Sequence, residues 1–473
     1  MSGDDEVLDL ICVGFGPASL AIAIALSEYP INKRPNALFL ERQSSFAWHA
    51  GMQLPGAKMQ ISFLKDLATP RNPRSRYTFV NYLHEKGRFH DFVNLSTFTP
   101  SRLEFEDYLR WCAGHIESEG RVGYGMEVVD VVPQRARSGI VNSFIVRARD
   151  VKNGKMVERV ARHVVIAVGG KGNLPKELPQ THAKVIHSSQ YSMRVASALP
   201  ESTAKYHIAV IGNGQSAAEI FNDLPSRYPN SNVTLIIKGS ALRPSDDSPF
   251  VNEVFNPDRV DNIFRQNAEV RGEGIRSDRA TNYGVVRIDL LDHLFEKLYF
   301  QQLKTPNKAD WKFQIRNNRR VIATEEEADG KLRLRLEKLV DDGTNEIGGE
   351  QISYDAVFVA TGYLRNAHEA MLKQTRSLLP KAFQAEGSSM PVGRDYRVGF
   401  DQSKASANAG VWLQGCNEST HGVSFVIRIG SLLLMTWGKL SDTLLSILAI
   451  RGGELVESIF GGDAAISSIR ARL

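Results

Sequence analysis

The chain has 473 residues, 42% of them hydrophobic and 23% charged, which is ordinary for a soluble globular protein and long enough for two or three domains. Its formal net charge of +5 is spread without long Lys/Arg blocks, so nucleic-acid binding has little support. Three cysteines, Cys12, Cys112 and Cys416, lie far apart and form no CxxC, which disfavours a disulfide scaffold and a dithiol reductase and suits a reducing compartment.

The opening residues, MSGDDEVLD, are acidic and hold no apolar signal core, so a cytoplasmic protein is expected. No membrane span is expected: the most apolar stretch, Phe425 to Trp437, contains Arg428 and is too short to cross comfortably. No metal site is expected.

From Leu8 a run of β-formers ends at Gly14-Phe15-Gly16-Pro17-Ala18-Ser19, an apolar helical segment follows, and a second apolar run closes on Glu41. This pattern predicts the strand, glycine turn, helix and strand of a dinucleotide-binding unit. Gly14 permits the tight turn, Gly16 lets backbone N–H groups and the helix N-terminus approach a pyrophosphate, and Pro17 fits the first helical turn. Glu41 is placed to accept hydrogen bonds from an adenosine ribose. A purely structural turn is the competing reading.

After Glu41 comes a segment without clean periodicity that carries Trp48, His49, Met59, Gln60 and Lys65. Its prolines and glycines predict a long shaped loop, and such a loop beside a cofactor unit covers a site. Helices are expected over Thr78–Leu83 and Arg102–Ile116; the aromatics of the second are read as core packing. Strands follow from Val122 to Val168, with a hairpin-like turn near Asn153-Gly154 and a last strand ending in AVGG.

A second unit begins at Tyr206. Gly212 and Gly214 repeat the turn, and Gln215-Ser216-Ala217 opens the next helix. At the end of the following strand Lys238 stands where an acid is usual; with Arg243 it would pair with a 2′-phosphate, so this site should prefer NADP over NAD. A solvated surface lysine is the alternative. The mild basic excess of the chain suits that anionic ligand.

A polar, proline-punctuated loop then leads past Asn252, and Asn282 precedes a helix expected from Ile288 to Tyr299. Residues Asn307 to Gly349 read as solvated strands, and Asp355 to Tyr363, DAVFVATGY, as a buried strand ending in a glycine turn at Thr361-Gly362. Two strand–GxG–helix–strand units make an internal repeat, and hydride transfer from a nicotinamide to a flavin is the economical reading.

The segments GFGPASLA from Gly14, MQISFLKDLATPR from Met59, IGNGQSAAE from Ile211, RPSDDSPFVNEVFNP from Arg243, TNYGVV from Thr281, VATGY from Val359, QGCNESTHG from Gln414 and LSDTLLS from Leu440 carry a resemblance. Together they resemble the flavin-dependent N-hydroxylating monooxygenases, in particular the fungal L-ornithine N5-monooxygenases of siderophore biosynthesis. The resemblance implies an α/β fold with two Rossmann-like domains, for FAD and NADPH, and a small substrate-binding domain. The first part of the FAD domain would occupy 1–200, and the NADPH domain 201–350 with substrate segments near 245–300. The stretch 351–473 would return to the FAD domain.

The implied chemistry is reduction of FAD by NADPH, addition of O2 to give a C4a-hydroperoxyflavin, and attack by the side-chain amine of L-ornithine on the distal oxygen. Products would be N5-hydroxy-L-ornithine, NADP+ and water, made by a homotetramer. By the same resemblance Lys65 would contact the amino-acid carboxylate, with Asn252 also at that end. Asn282 would sit at the side-chain amine, Ser441 near substrate and flavin, and Met59, Gln60 and Arg102 at the isoalloxazine. Gln215 and Ser216 would hold NADP, with Lys238 at its 2′-phosphate.

The chemistry agrees with those roles. A carboxylate wants a cation, whereas an amine that attacks as the neutral nucleophile cannot be given a carboxylate partner, which would raise its pKa. For Asn252 and Asn282, turn capping is the alternative. A lysine N6-hydroxylase differs by one methylene, worth only about 1–3 kcal/mol. A Baeyer–Villiger or sulfur-oxidising flavoprotein would need no carboxylate anchor.

One stretch departs from the resemblance. Val423 to Lys439, VSFVIRIGSLLLMTWGK, intervenes where the THG turn should run almost directly into LSDTLLS. It is expected to be a translated, unremoved intron or a gene-model error. As real protein it would interrupt the turn over the flavin, leaving a nucleotide-binding scaffold without catalysis.

Overall fold

The computed structural model describes residues 7–274, 283–339, 349–417, 421 and 445–461. Asn282, Ser441 and the 423–439 insertion lie outside the described residues.

The first sheet is built from β1 (Leu8–Val13), β2 (Ala37–Glu41), β3 (Val122–Tyr124), β4 (Met126–Arg135), β5 (Val141–Asp150) and β6 (Met156–Ile166), in the order β3-β2-β1-β6-β5-β4. The late strand Gly410–Leu413 pairs with β6. The central strand β1 lies parallel to β2 and β6, and its last four residues are buried, as a continuous apolar run covered on both faces requires. Strands β4, β5 and β6 form an antiparallel meander, whose β5–β6 turn falls at Asn153-Gly154 as expected.

The helix Pro17–Ser27 is buried at every residue from Ser19 to Ser27. An all-round apolar helix needs cover on both sides. The C-terminal helix Leu448–Phe460 supplies one cover, approaching so closely that a Cβ on Gly452 would lie 2.8 Å from the carbonyl carbon of Ala21. The helices Phe79–Glu85 and Arg102–Glu117 are both N-capped, by Thr78 and Ser101.

The chain leaves this sheet through β7 (Lys171–Gly172) and enters a second, made with β8 (Val185–His187), β9 (His207–Ile211), β10 (Asn232–Ile236) and β11 (Phe313–Arg316). After β12 (Arg319–Glu326), β13 (Leu332–Lys338) and β14 (Glu350–Tyr354) it adds β15 (Ala356–Val359), giving the parallel order β11-β10-β9-β15-β8. The return passes through β16 (Tyr363–Leu364), which pairs antiparallel with β7. Outward and homeward crossings are thus hydrogen-bonded to each other.

Two expectations need correcting. The second sheet takes in β8 and β15, so it runs from Val185 to Val359, past the borders expected at 200 and 350. Residues Asn307 to Gly349 are not simply solvated strands either: β11 joins the parallel sheet, and Leu332, Leu334 and Leu336 of β13 are buried beside Val185, Val321 and Val357. The alternation LRLRL in β13 has one face inside and one face wet.

Among the described residues no helix is long and apolar enough to cross a membrane.

Candidate active site

Two glycine turns stand at the carboxyl ends of the parallel strands, and both lean on a main-chain oxygen. Gly14 has φ +90°, and a Cβ there would lie 2.7 Å from the carbonyl oxygen of Ala167, just after β6. Gly212 has φ +140°, and a Cβ there would lie 2.4 Å from the carbonyl oxygen of Ala360, just after β15. The predicted repeat is therefore a repeat of geometry: only glycine fits either place.

The helices that follow start at Pro17 and Gln215 on the N-caps Gly16 and Gly214, with no side-chain cap. Their first N–H groups keep their donor capacity, and the space a Cβ of Gly16 would enter is open for 4 Å. A second observation points the same way in the first sheet. Among the described residues Gln414, buried at the end of Gly410–Leu413, has neither amide atom hydrogen-bonded, and buried Ser19 Oγ has no partner either. Its backbone N–H donates to Ile166 O at 2.9 Å, so it stands at the carboxyl end of that sheet beside the glycine turn. Uncapped helix starts and orphaned buried polar atoms fit dinucleotide ligands. Gln414 was missed as a site residue, although it opens the QGCNESTHG segment.

Glu41 is buried, with Oε2 accepting from Phe15 N–H at 2.8 Å and Oε1 from Gln43 N–H at 2.9 Å. It braces the first turn, and each oxygen retains a lone pair for a ribose hydroxyl. Trp48 packs against Phe105 and stands edge-on to His49, ring centres 6.0 and 5.0 Å apart. His49 has left-handed φ 47°; the residue as a whole is exposed, but its ring is set edge-on between Trp48 and Tyr363, the latter 6.3 Å away. Desolvation of the ring in that setting, with the Arg102 and Arg365 charges, pushes its pKa down to about 4.

Met59 is buried and tied by its N–H to Pro100 O at 2.9 Å, while Gln60 is exposed. Arg102 opens its helix but turns its guanidinium to the second sheet's helix: Nη1 and Nη2 donate to the two oxygens of Glu219 at 2.9 and 2.8 Å, and Nη1 also to Met52 O at 2.6 Å. Gln215 Nε2 donates to Glu219 Oε1 at 2.9 Å, and Gln215 Oε1 accepts from Arg287 N–H at 2.9 Å. Arg287 Nη1 in turn reaches Met59 O at 2.9 Å. The sequence pointed to Arg102 and Gln215 but not to Glu219 or Arg287, whose links to Arg102 and to the Met59 carbonyl span 117 and 228 residues.

A cavity of about 200 Å³ borders this lattice, lined by the loop Leu54–Lys58 together with Gln215, Glu219, Arg287 and Asp289.

Lys65 ends the short turn Phe63–Lys65, which lies against Leu445–Ile447. Among the described residues no carboxylate pairs with its ammonium. Next to it, buried Asp66 accepts hydrogen bonds from the N–H groups of Ala68, Thr69 and Phe79 and from Thr69 Oγ1, and burial raises its pKa. Asn252 is exposed and caps its own loop, Nδ2 donating to Asp247 O at 2.9 Å and Ser248 O at 3.3 Å. Past Asn282, the Gly284 carbonyl accepts from Asn213 Nδ2 at 3.3 Å, which seats this segment on the second glycine turn.

Ser216 is half-buried in the first turn of the helix Gln215–Arg227. Among the described residues Lys238, exposed just beyond β10, has no carboxylate partner, and the side chain of exposed Arg243 reaches Ser240 Oγ at 3.4 Å. Thr361 Oγ1 donates to Asn173 O, and the Gly362 carbonyl accepts from His187 Nε2 at 2.9 Å. These two residues brace the crossing between the sheets.

Two sheets, each with an open glycine turn at the carboxyl end of its parallel strands and joined by a polar lattice, define an oxidoreductase of the two-dinucleotide class. Residues 6–365 match the family described as L-lysine 6-monooxygenase/L-ornithine 5-monooxygenase. The chain is 49% identical over 479 residues to L-ornithine N(5)-monooxygenase of Aspergillus oryzae, across 98% of this chain and 91% of that one. It is similar to the ornithine hydroxylase PvdA from Pseudomonas aeruginosa, with 36% identity and a TM-score of 0.83, covering 96% of this chain and 99% of that one. It is also similar to the ornithine N-hydroxylase KtzI from Kutzneria sp. 744, solved with reduced FAD, NADP+ and L-ornithine. That likeness is 33% identity and a TM-score of 0.82, over 96% and 99% of the two chains. The chain belongs to the L-lysine 6-monooxygenase/L-ornithine 5-monooxygenase family.

Proposed function

We infer that the protein is an FAD- and NADPH-dependent L-ornithine N5-monooxygenase that converts L-ornithine, O2, NADPH and a proton into N5-hydroxy-L-ornithine, NADP+ and water. The near-complete alignment to ornithine monooxygenases carries this reading. The reaction opens hydroxamate siderophore synthesis.

FAD, when bound, supplies the oxygen-activating chemistry. The chain's own part is to hold and orient. Gly14, Gly16 and Pro17 present the helix start to the FAD pyrophosphate, Glu41 takes the ribose, and Trp48, His49, Met59, Gln60 and Arg102 wall the ring. His49, neutral at pH 7, brings a dipole and no charge to that wall. Gly212, Gly214, Gln215 and Ser216 receive NADPH, Lys238 and Arg243 meet its 2′-phosphate, and Thr361 and Gly362 fix the crossing between the two nucleotides.

Lys65 takes the ornithine carboxylate because its charge is uncommitted, and Asn252 joins it there. Asn282 attends the side-chain amine, with Ser441 near substrate and flavin; neutral partners there orient the amine without raising its pKa as a carboxylate would. The assembly is proposed to be a homotetramer in the cytoplasm; light scattering at four chain masses checks the first point.

NADPH oxidation and hydroxylamine product measured in parallel test the function. Product should match NADPH consumed with ornithine and be nearly absent with lysine. NADPH consumed with peroxide as the sole product would overturn the reading.

A further inference from the structure

Arg102 and Glu219 are 117 residues apart and sit on helices of different hydrophobic cores, yet they form a two-pronged pair with side chains only 14% and 6% exposed. Glu219 accepts three hydrogen bonds: two from Arg102 and one from Gln215. Every one of these partners bears on a nucleotide turn. Gln215 is the first residue of the helix on the second glycine turn, and Arg102 also holds the Met52 carbonyl of the loop that walls the first site. Through Gln215 the chain continues to the backbone of Arg287, whose guanidinium clasps the Met59 carbonyl.

We propose that Glu219 is a positioning residue for hydride transfer, acting through Arg102 and Gln215 to fix the NADPH turn against the flavin-side loop Met52–Met59. The proposal rests on the assignment of the two glycine turns to FAD and NADPH. The transfer moves two electrons and one hydrogen from C4 of the nicotinamide to the flavin, leaving NADP+ and reduced flavin. It requires reacting atoms about 3–3.5 Å apart, and a displacement of about 1 Å costs roughly 100-fold. A carboxylate with three donors from two domains fixes such a distance, because each oxygen is held in direction as well as in reach. Its charge is also what keeps Arg102 from turning elsewhere: a buried cation deprived of its partner is strongly destabilised where it stands.

The test compares the FAD-loaded chain with Glu219→Gln, Arg102→Gln and the double variant. Anaerobic flavin reduction at saturating NADPH should slow by roughly 10–100-fold in each single variant, and in Glu219→Gln, whose side chain is assigned to neither dinucleotide, FAD content and NADP+ affinity should stay within about 3-fold. The double variant should be no slower than the slower single one, since both changes release the same link. Independently of activity, hydrogen–deuterium exchange of amides 52–60 should quicken in Glu219→Gln. If Glu219→Gln does not fold, Glu219→Asp, which keeps the charge but shortens the arm, is read for the same slowing. Unaltered reduction, unaltered exchange or an additive double variant overturns the proposal. An unmodified chain that binds neither dinucleotide refutes the underlying assignment instead, and is seen before any variant is made.

Discussion

Lys65 and Asp66 are neighbours in the chain but not a pair: the Asp66 carboxylate is buried under four donors from Ala68, Thr69 and Phe79, and the Lys65 ammonium is left without a carboxylate among the described residues. The acid anchors the turn while the base stays available. Lys65→Ala should raise the KM for ornithine by about 1.5–3 kcal/mol of lost charge-assisted binding, with flavin reduction by NADPH unchanged. Steady-state kinetics in both substrates checks this; an unaltered ornithine KM removes Lys65 from the substrate site.

Lys238 is exposed beyond β10, where an acid would repel a 2′-phosphate. Lys238→Ala should weaken NADPH by about 1.5–3 kcal/mol and leave NADH almost untouched. The ratio of kcat/KM for the two coenzymes is the measurement, and an unchanged ratio sinks the assignment.

His163 lies on β6 with its ring edge-on to Trp412 and Phe460, and burial, with the Arg397 charge, pushes its pKa from 6.5 down to about 4. The unfolded chain takes up that proton near pH 6.5 and the folded chain only near 4, so stability falls as pH drops through this window. The loss amounts to about 3 kcal/mol at most. Urea titrations at pH 7.5 and pH 5 should show a smaller difference for His163→Phe than for the unmodified chain; equal differences would exclude His163 as the source.

Gly452 brings the C-terminal helix onto Ala21, where an added Cβ would meet backbone at 2.8 Å. Gly452→Val should cost about 1–3 kcal/mol in stability, read as a lowered denaturant midpoint. Since Pro17–Ser27 presents its start to the flavin, FAD retention should fall in step. A variant that keeps both midpoint and FAD would show that the helices can separate freely.

Residues 423–439 begin Val-Ser and end Lys, and these can be written in codons as GTR-AGT and AAG, the boundary sequences of a spliced intron. A transcript lacking this run is expected, and a chain made from it should retain more FAD than the 473-residue form. Equal FAD retention, with the longer transcript alone present, would establish the segment as working protein.

The nucleotide turns were legible because their signals are local: β-formers, glycines and an apolar helix within a few tens of residues. The place of Lys238, one strand beyond its turn, was legible in the same way. Distant partners were not legible. β15 inserts between β8 and β9 across more than a hundred residues, and the register of such a pairing leaves no mark in either strand's own sequence. Arg102 was expected at the flavin ring, and nothing near it in the chain announces Glu219. For Asn252 the motif and the turn chemistry pointed to a ligand group or a turn cap, and which carbonyls its amide hydrogens meet, those of Asp247 and Ser248, is visible only in the fold.

At both nucleotide turns the atom nearest to an added Cβ is a peptide oxygen, that of Ala167 or of Ala360. No second-site suppressor at either alanine can therefore make room for a larger residue at 14 or 212. Libraries that diversify this scaffold should hold both glycines constant and draw their variation from the long loop between Glu41 and Tyr77.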